Sequence, residues 1–499
     1  MNTVISPQSH IPSKVTLPEH RDAYYGGKWH APESGRYVDT INPGTGESLG
    51  KVAECGESDM DAAIASAKAA FCEWRRMPPL ERARILKRVA QVLRENAGEL
   101  AMIDSADCGN PVKEMLADAQ IAAAQMEFFA GLVTEVKGLS IPMGPDVVNF
   151  SVREPRGVVG RIIPFNHPFM FCAGKSAAAL ATGNTVVVKP PEQAPLSSLR
   201  LAELCDGLFP PGVFNVVPGG REAGARLSAH QDIAMVALVG SVPTGRAVMK
   251  AAAETVKPVL LELGGKNALI AFADADPDDV AGGVVGGMNF TWCGQSCGST
   301  SRAFVHEKIY DAVLEKVKEK AAYYRPGIPT DPATTMGAIV SKVQYERVLS
   351  YLESAKRDGA RLIHGGKRPT DPKLANGFFV EPSIYADCTM DMRIAREEIF
   401  GPVLAIFKWS DEKAMLDAVN GVEYGLTCSI WTNDLSAAHR TAMDVEAGFI
   451  WVNEVSKHFL GAPFGGFKQS GIGREECIEE MFAFTQEKNI HVKLKARGS

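Results

Sequence analysis

Three residue types stand in settings where they could do covalent chemistry. Cys297 lies in the loop GQSCGSTSR, flanked by Ser296 and Gly298. A thiol there is intrinsically very nucleophilic, and its small neighbours let a carbonyl approach. Glu262 closes a β-branched run in LELGGKN, where a desolvated carboxylate can act as a general base. Asn166, in IIPFNHP, offers a side-chain amide that can stabilise an oxyanion. Taken singly, each has a plainer meaning: a packed core thiol, a strand-end salt bridge, and a turn.

Around them lie four more segments. VVVKPPEQAPLS carries Lys189 and Glu192, and VGSVPTG carries Gly240, Ser241, Thr244 and Gly245. EEIFGPV carries Glu398 and Phe400, and PFGGFKQSGIGRE runs from Pro463 to Glu475. The usual GxGxxG fingerprint is missing. GTGESLG, from Gly44 to Gly50, is one residue out of register and reads as a turn. Any nucleotide must therefore bind by another arrangement.

The ordered set resembles the aldehyde dehydrogenase superfamily, from about Tyr25 to Lys493. The resemblance implies that Cys297 attacks an aldehyde to give a thioester, that Asn166 and the Cys297 N–H hold the oxyanion, and that Glu262 activates the hydrolytic water. Relatives lacking this Glu pass the acyl group to coenzyme A, so its presence argues for hydrolysis. NAD contacts are expected at Ile163, Pro164, Phe165, Lys189, Glu192, Gly220, Gly224, Gly240, Ser241, Thr244, Gly245, Leu263, Gly264, Glu398 and Phe400. Glu192 would repel a 2′-phosphate, which favours NAD and leaves NADP open. The helix start after Gly240 suits a pyrophosphate. No metal is implied.

The resemblance places the substrate pocket at His167, Gly174, Trp292, Ser296, Gly298 and Phe464. The small residues favour a bulky or aromatic aldehyde over small aliphatic or charged ones, unless other side chains refill the space. The chain departs from the family's pattern at three points. His167 stands where an apolar residue is common, and Cys293 stands where Gln is common. Gln486, beside Glu487, stands where a second Glu is expected, which puts a carboxylate relay there in doubt. Lys175 matches a family lysine near the site.

The elements that must position these groups follow from periodicity. Short β-branched runs start at Val158, Thr185, Val213, Met235 and Val259, with helical stretches between them. That alternation predicts a Rossmann-like parallel sheet, which binds ligand at its strands' carboxyl ends. A second α/β unit follows, with strands expected near Ala303, Arg361, Phe378, Leu404, Leu426 and Phe449. Upstream, Ser58 can cap a helix bearing Met60, Ile64, Ala67 and Phe71. Residues 1–137 and 156–262 are assigned to the NAD-binding domain and 263–476 to the catalytic domain. The resemblance assigns residues 138–155 and 477–499 to a small β oligomerisation arm and implies a homodimer or homotetramer.

Bulk properties fit a soluble cytoplasmic enzyme of 499 residues. A net charge of -6 without like-charge blocks argues against nucleic acid. The ten cysteines are spread thinly without CxxC pairs, as in a reduced chain. The N-terminus lacks a signal-peptide core, and the tail to about Glu19 is expected to be loosely ordered or draped over a neighbour. The uncharged stretch Val280 to Ser301 is too rich in Gly and polar residues for a membrane helix and reads as a buried segment. Three competing readings are a coenzyme-A-acylating relative, a non-catalytic structural relative and a cysteine hydrolase.

Overall fold

Two sheets grow out of the β-branched runs. The computed structural model describes residues 11–495. The first sheet has a five-stranded parallel core, in the spatial order Phe214–Val216, Thr185–Lys189, Val158–Ile162, Ile233–Val239 and Val259–Glu262. These strands are buried on both faces, so they read as continuous apolar runs rather than alternating ones. The Ala23–Tyr25 and Lys28–His30 hairpin extends one edge, and Gly471–Ile472 pairs antiparallel with the other.

The chain order reverses beside Val158–Ile162. Successive strands first add on one side, and the chain then crosses to Ile233–Val239 on the other. Such a switch point opens a crevice at the carboxyl ends of the strands. IIPFNHP and VGSVPTG both leave the sheet there.

The helix Pro168–Ala181 is buried along its whole length. Val112–Gly131 packs against it, and Pro79–Glu95 and Ala97–Cys108 stack behind. On the other face, Glu57–Trp74 buries Met60, Ile64 and Ala67. Its cap is not Ser58. The helix starts two residues earlier, with Gly56 at the cap, where the Asp59 carboxylate accepts the Gly56 N–H at 2.9 Å. The tail is already packed where the described residues begin, with Ile11, Val15 and Leu17 against the first core.

The second sheet has seven strands, in the order Arg361–His364, Ser383–Ala386, Val403–Trp409, Arg302–His306, Ala268–Ala271, Thr427–Trp431 and Phe449–Val452. All its pairings are parallel except the first. The strand expected near Phe378 lies instead at Ser383–Ala386. Phe378 donates its N–H to the Pro43 carbonyl and accepts from the Ile339 N–H, so its backbone has no groups left for a ladder.

The two extended pieces pair with each other. Val147–Pro155 and Thr485–Lys493 run antiparallel from Thr485↔Pro155 to Lys493↔Val147, with Ser140–Ile141 alongside. Just before this arm, the helix Ile478–Ala483 turns Met481 into the first core, and Phe484 joins it there. No described helix is long and apolar enough to cross a membrane.

Candidate active site

The Cys297 loop is fixed from several sides. After the helix Pro277–Gly287, Asn289 and Cys293 take left-handed backbone conformations around the short turn Phe290–Trp292. Cys293 is buried, and its Sγ donates to the Gly337 carbonyl at 3.0 Å, which gives it a structural task. Gln295 bridges the Val340 N–H and the Ala338 carbonyl. Asn267 Nδ2 donates to the Cys297 carbonyl at 2.6 Å and to the Ser299 carbonyl at 3.1 Å. At Gly298 a Cβ would find nothing nearer than Ser296 Oγ at 3.9 Å, so the approach to Cys297 is open on that side. Burial, and then the charges of Glu262 and Glu398, push the Cys297 thiol up to about 12, with Lys175 pulling the other way. The resting group is a thiol and needs a base.

Glu262 ends its strand in register with Val239, at 4% exposure. Neither carboxyl oxygen has a hydrogen-bond partner among the described residues. Burial first, and Glu475 second, raise its carboxyl well above the usual range, opposed by Lys175. Gly465 leaves it room, because a Cβ there would stand 2.9 Å from Glu262 Oε1.

Beside it lies a buried charge cluster. Glu475 receives Arg161 Nη2 at 2.6 Å and Lys175 Nζ at 2.8 Å, all three nearly inaccessible. Lys175 also reaches Glu476 at 3.3 Å, and Glu476 meets His458 Nδ1 at 3.4 Å. His458 is 42% exposed, so the series ends in solvent. Against their burial, Lys175 and then Arg161 hold Glu475 below its ordinary value. Glu476 is likewise held down to about 2 by Lys175 and His458. Glu480 is pushed up to about 8, by burial and then by Glu475.

The carboxylate near Glu262 is thus Glu475, not a group at 486 or 487. Gln486 pairs with Glu154 in the arm, and Glu487 is bound to Ser151 and Arg153 there. Glu475 closes the PFGGFKQSGIGRE segment, so its position was legible. Its partners Arg161 and Lys175 come from the far side of the chain and were not.

Asn166 and His167 leave the switch-point strand together. The Asn166 carbonyl accepts from Asn110 Nδ2 at 2.6 Å, while its side-chain oxygen has no described partner. His167 Nδ1 bonds Asp118 Oδ2 at 2.8 Å, and its ring meets Trp292 edge-to-face at 4.8 Å and Phe171 at 5.6 Å. Trp292 belongs to the Cys297 loop, so this contact ties the two loops together. The room expected at Gly174 is filled, because a Cβ there would lie 1.7 Å from Gln125 Oε1. Phe464 is buried, packs on His458 at 4.6 Å and bridges to the Glu475 backbone.

The remaining motif residues gather at the carboxyl ends of the first sheet. Lys189 Nζ donates to the Pro190 and Gly219 carbonyls, and burial brings it down to about 8, with Glu192 and Glu54 opposing. A Cβ at Gly220 would crowd Glu54 and Glu192 at 2.8 and 3.0 Å. Ser241 caps the helix Val242–Ala253 by accepting the Thr244 N–H at 3.4 Å. Gly245 packs against Leu263, and Gly224 lies over the Lys189 stem. The Glu398 carboxylate accepts the Gly265 N–H at 3.0 Å, and a Cβ at Gly264 would strike it at 2.1 Å. Burial raises Glu398 to about 6. Phe400 sits at φ 53° and meets Phe165 edge-to-face at 5.6 Å, while Ile163 and Pro164 join Phe165 to the strand.

These glycines form a cradle that any Cβ would fill. The carboxylates of Glu192 and Glu398 suit ribose hydroxyls, and the dipole at the start of the helix Val242–Ala253 suits a pyrophosphate. The residues present therefore fit a dinucleotide. No group of acids, His and Cys among the described residues has the makings of a metal site.

The chain is similar to known aldehyde dehydrogenases. The model of the Aldehyde dehydrogenase family matches residues 29–490. The aldehyde dehydrogenase tropH of Talaromyces stipitatus is 50% identical over 491 residues, covering 97% of this chain and 95% of that protein. An NAD+ complex of an aldehyde dehydrogenase from Bacillus cereus superposes with a TM-score of 0.93 at 39% identity, over 96% of this chain and 98% of that one. A mutant of the P. syringae indole-3-acetaldehyde dehydrogenase AldA, in complex with NAD+ and IAA, gives 0.93 at 37% identity, over 96% and 97%. On sequence, fold and the arrangement of its buried site, the chain belongs to the aldehyde dehydrogenase family.

Proposed function

We propose that the protein oxidises an aldehyde to its carboxylic acid with NAD, through a thioester on Cys297. The observation that carries this reading is the pairing of an approachable, half-buried thiol with a buried carboxylate that has no partner of its own among the described residues. A raised thiol and a raised carboxyl are matched for proton exchange, because neither holds its charge easily.

Cys297 Sγ bonds to the aldehyde carbon, and its proton goes to Glu262. The oxyanion is held by the Asn166 amide and the Cys297 N–H, each donor contributing ~3–4 kcal/mol. When bound, NAD supplies the hydride acceptor that converts the tetrahedral carbon to a thioester. The thiol proton first leaves Glu262 through the Glu475, Lys175 and Glu476 cluster to exposed His458. Glu262, again a carboxylate, then takes a proton from water as the water oxygen attacks. The carbon–sulfur bond breaks, and the leaving sulfur takes that proton from Glu262, which restores the thiol. Glu262 also argues against transfer to coenzyme A.

Lys189 and Glu192 would hold the adenosine ribose, Ser241, Thr244 and Gly245 the pyrophosphate, and Glu398 and Phe400 the nicotinamide side. Two carboxylates, Glu54 and Glu192, crowd Gly220. Both disfavour a 2′-phosphate, which supports NAD over NADP. The arm exposes Leu139, Met143, Val148, Val492 and Leu494, which supports self-association as a dimer or tetramer. Thinly spread free thiols support a reducing, cytoplasmic setting.

An aldehyde panel with NAD and NADP tests the reading. NADH formation that disappears in Cys297→Ser, with NAD binding retained, is the expected result. Wild-type rates in that variant, or no NADH with any aldehyde, would overturn it.

A further inference from the structure

We propose that His167, Asp118 and Gln125 form a polar subsite that selects neutral aldehydes bearing a hydroxyl group. The proposal rests on the aldehyde-oxidising reading above and names its substrate class.

Helical spacing sets up the wall. Glu114, Asp118 and Gln125 lie at i, i+4 and i+11 on the helix Val112–Gly131, which packs on Pro168–Ala181. Asp118 is buried and takes the His167 Nδ1 at 2.8 Å. A carboxylate only accepts, so Nδ1 carries a proton toward Asp118 and Nε2 is the ring nitrogen left to meet a hydroxyl, which can both donate and accept. Nε2 has no hydrogen-bond partner among the described residues.

The ring is placed for substrate. His167 follows Asn166 directly, and it stands edge-on to Trp292, five residues before Cys297. Phe171 flanks it at 5.6 Å. An aromatic aldehyde between these faces would bring a ring hydroxyl toward Nε2 while its carbonyl faces the oxyanion donors.

Gln125 supplies the second observation. It is 3% exposed, and its Oε1 has no hydrogen-bond partner among the described residues. Only a glycine at 174 admits this amide, since a Cβ there would stand 1.7 Å from Oε1. The wall thus presents a ring nitrogen and an amide oxygen without partners among the described residues. An O–H group satisfies one, whereas a plain aromatic ring satisfies neither. A carboxylated aldehyde is disfavoured, because Glu114 and Asp118 line the same helix face beside His167.

The test measures kcat/KM with NAD for benzaldehyde, 3- and 4-hydroxybenzaldehyde and 4-carboxybenzaldehyde. The better hydroxylated substrate is expected to exceed benzaldehyde by ~10-fold in the wild type, or ~1.4 kcal/mol. In His167→Phe the ratio should fall to about 1, and this ratio is the readout whatever the change in absolute turnover. His167→Phe leaves Asp118 buried without a partner, so the double variant His167→Phe/Asp118→Leu removes both and should show the same collapse. Asp118→Asn, which loosens the ring without removing it, should fall between. An equal ratio in wild type and double variant, or a preference for the carboxylated aldehyde, would overturn the subsite while leaving aldehyde oxidation intact. No NADH from any of the four would instead overturn the parent reading and the subsite with it.

Discussion

Replacing Lys175 by Met should destabilise the protein and move its pH profile together. Lys175 Nζ lies 2.8 Å from Glu475 and 3.3 Å from Glu476, at 5% exposure. At an effective dielectric of about 20, each contact is worth roughly 5–6 kcal/mol of Coulomb attraction. Desolvating the ammonium offsets much of that, and breaking one side of a buried pair typically costs ~3–5 kcal/mol. Met keeps the stem's volume, so a cavity adds little. Arg161 would then face Glu475, Glu476 and Glu480 as the cluster's main cation, and Glu262 would lose a charge that now lowers its pKa.

The sign follows directly. Glu262 works as a base only when deprotonated, so turnover falls as pH drops through its raised pKa. Removing Lys175 raises that pKa further, so the acidic limb moves to higher pH. Each unit of movement corresponds to ~1.4 kcal/mol. Urea unfolding and a kcat–pH profile read the two effects separately. Lost stability with an unmoved limb would reduce Lys175 to a structural role. The absence of both effects would refute the buried cluster itself.

Other outcomes follow from the same geometry. Asn166→Ala should lower kcat/KM by ~100–1,000-fold with NAD affinity unchanged, as removal of one oxyanion donor does; steady-state kinetics near wild type would remove Asn166 from that role. Glu54→Gln/Glu192→Ser should raise the NADP-to-NAD ratio of kcat/KM by about 10-fold, since like-charge repulsion is relieved; an unmoved ratio would count against those carboxylates as the discriminator. Gly174→Ala should cost ~1–3 kcal/mol by overpacking Gln125, and Gln125→Ala should rescue it in a double-mutant cycle of thermal unfolding. Additive losses would show that the two side chains do not compete for one space.

What the sequence shows plainly is what is local. β-branched runs mark the strands of the first sheet because both faces are buried, and small residues around Cys297 mark a loop that something must approach. Glu262 and Gly240 are readable for the same reason, as ends of such runs. Contacts that close over long stretches of chain are not readable. The Arg161–Glu475 and Lys175–Glu476 bonds span 314 and 301 residues, so the carboxylate beside Glu262 was sought at Gln486, which lies in the arm. Gly174 suggested room because a glycine's own size is visible, while the Gln125 amide that fills the space comes from another helix. Phe378 has the composition of a strand residue, yet loops from two other segments take its backbone bonds. His167 stood out as a departure, and only the Asp118 contact gives it a role.

The central claim is a thioester on Cys297 released by Glu262. The most direct measurement is intact-protein and peptide mass spectrometry of Glu262→Gln, quenched in acid after mixing with NAD and an oxidisable aldehyde. One burst of NADH per active site and an acyl mass added to the peptide containing Cys297 are expected, with steady turnover reduced by ~100–10,000-fold. Undiminished linear NADH formation without any adduct on Cys297 would contradict it.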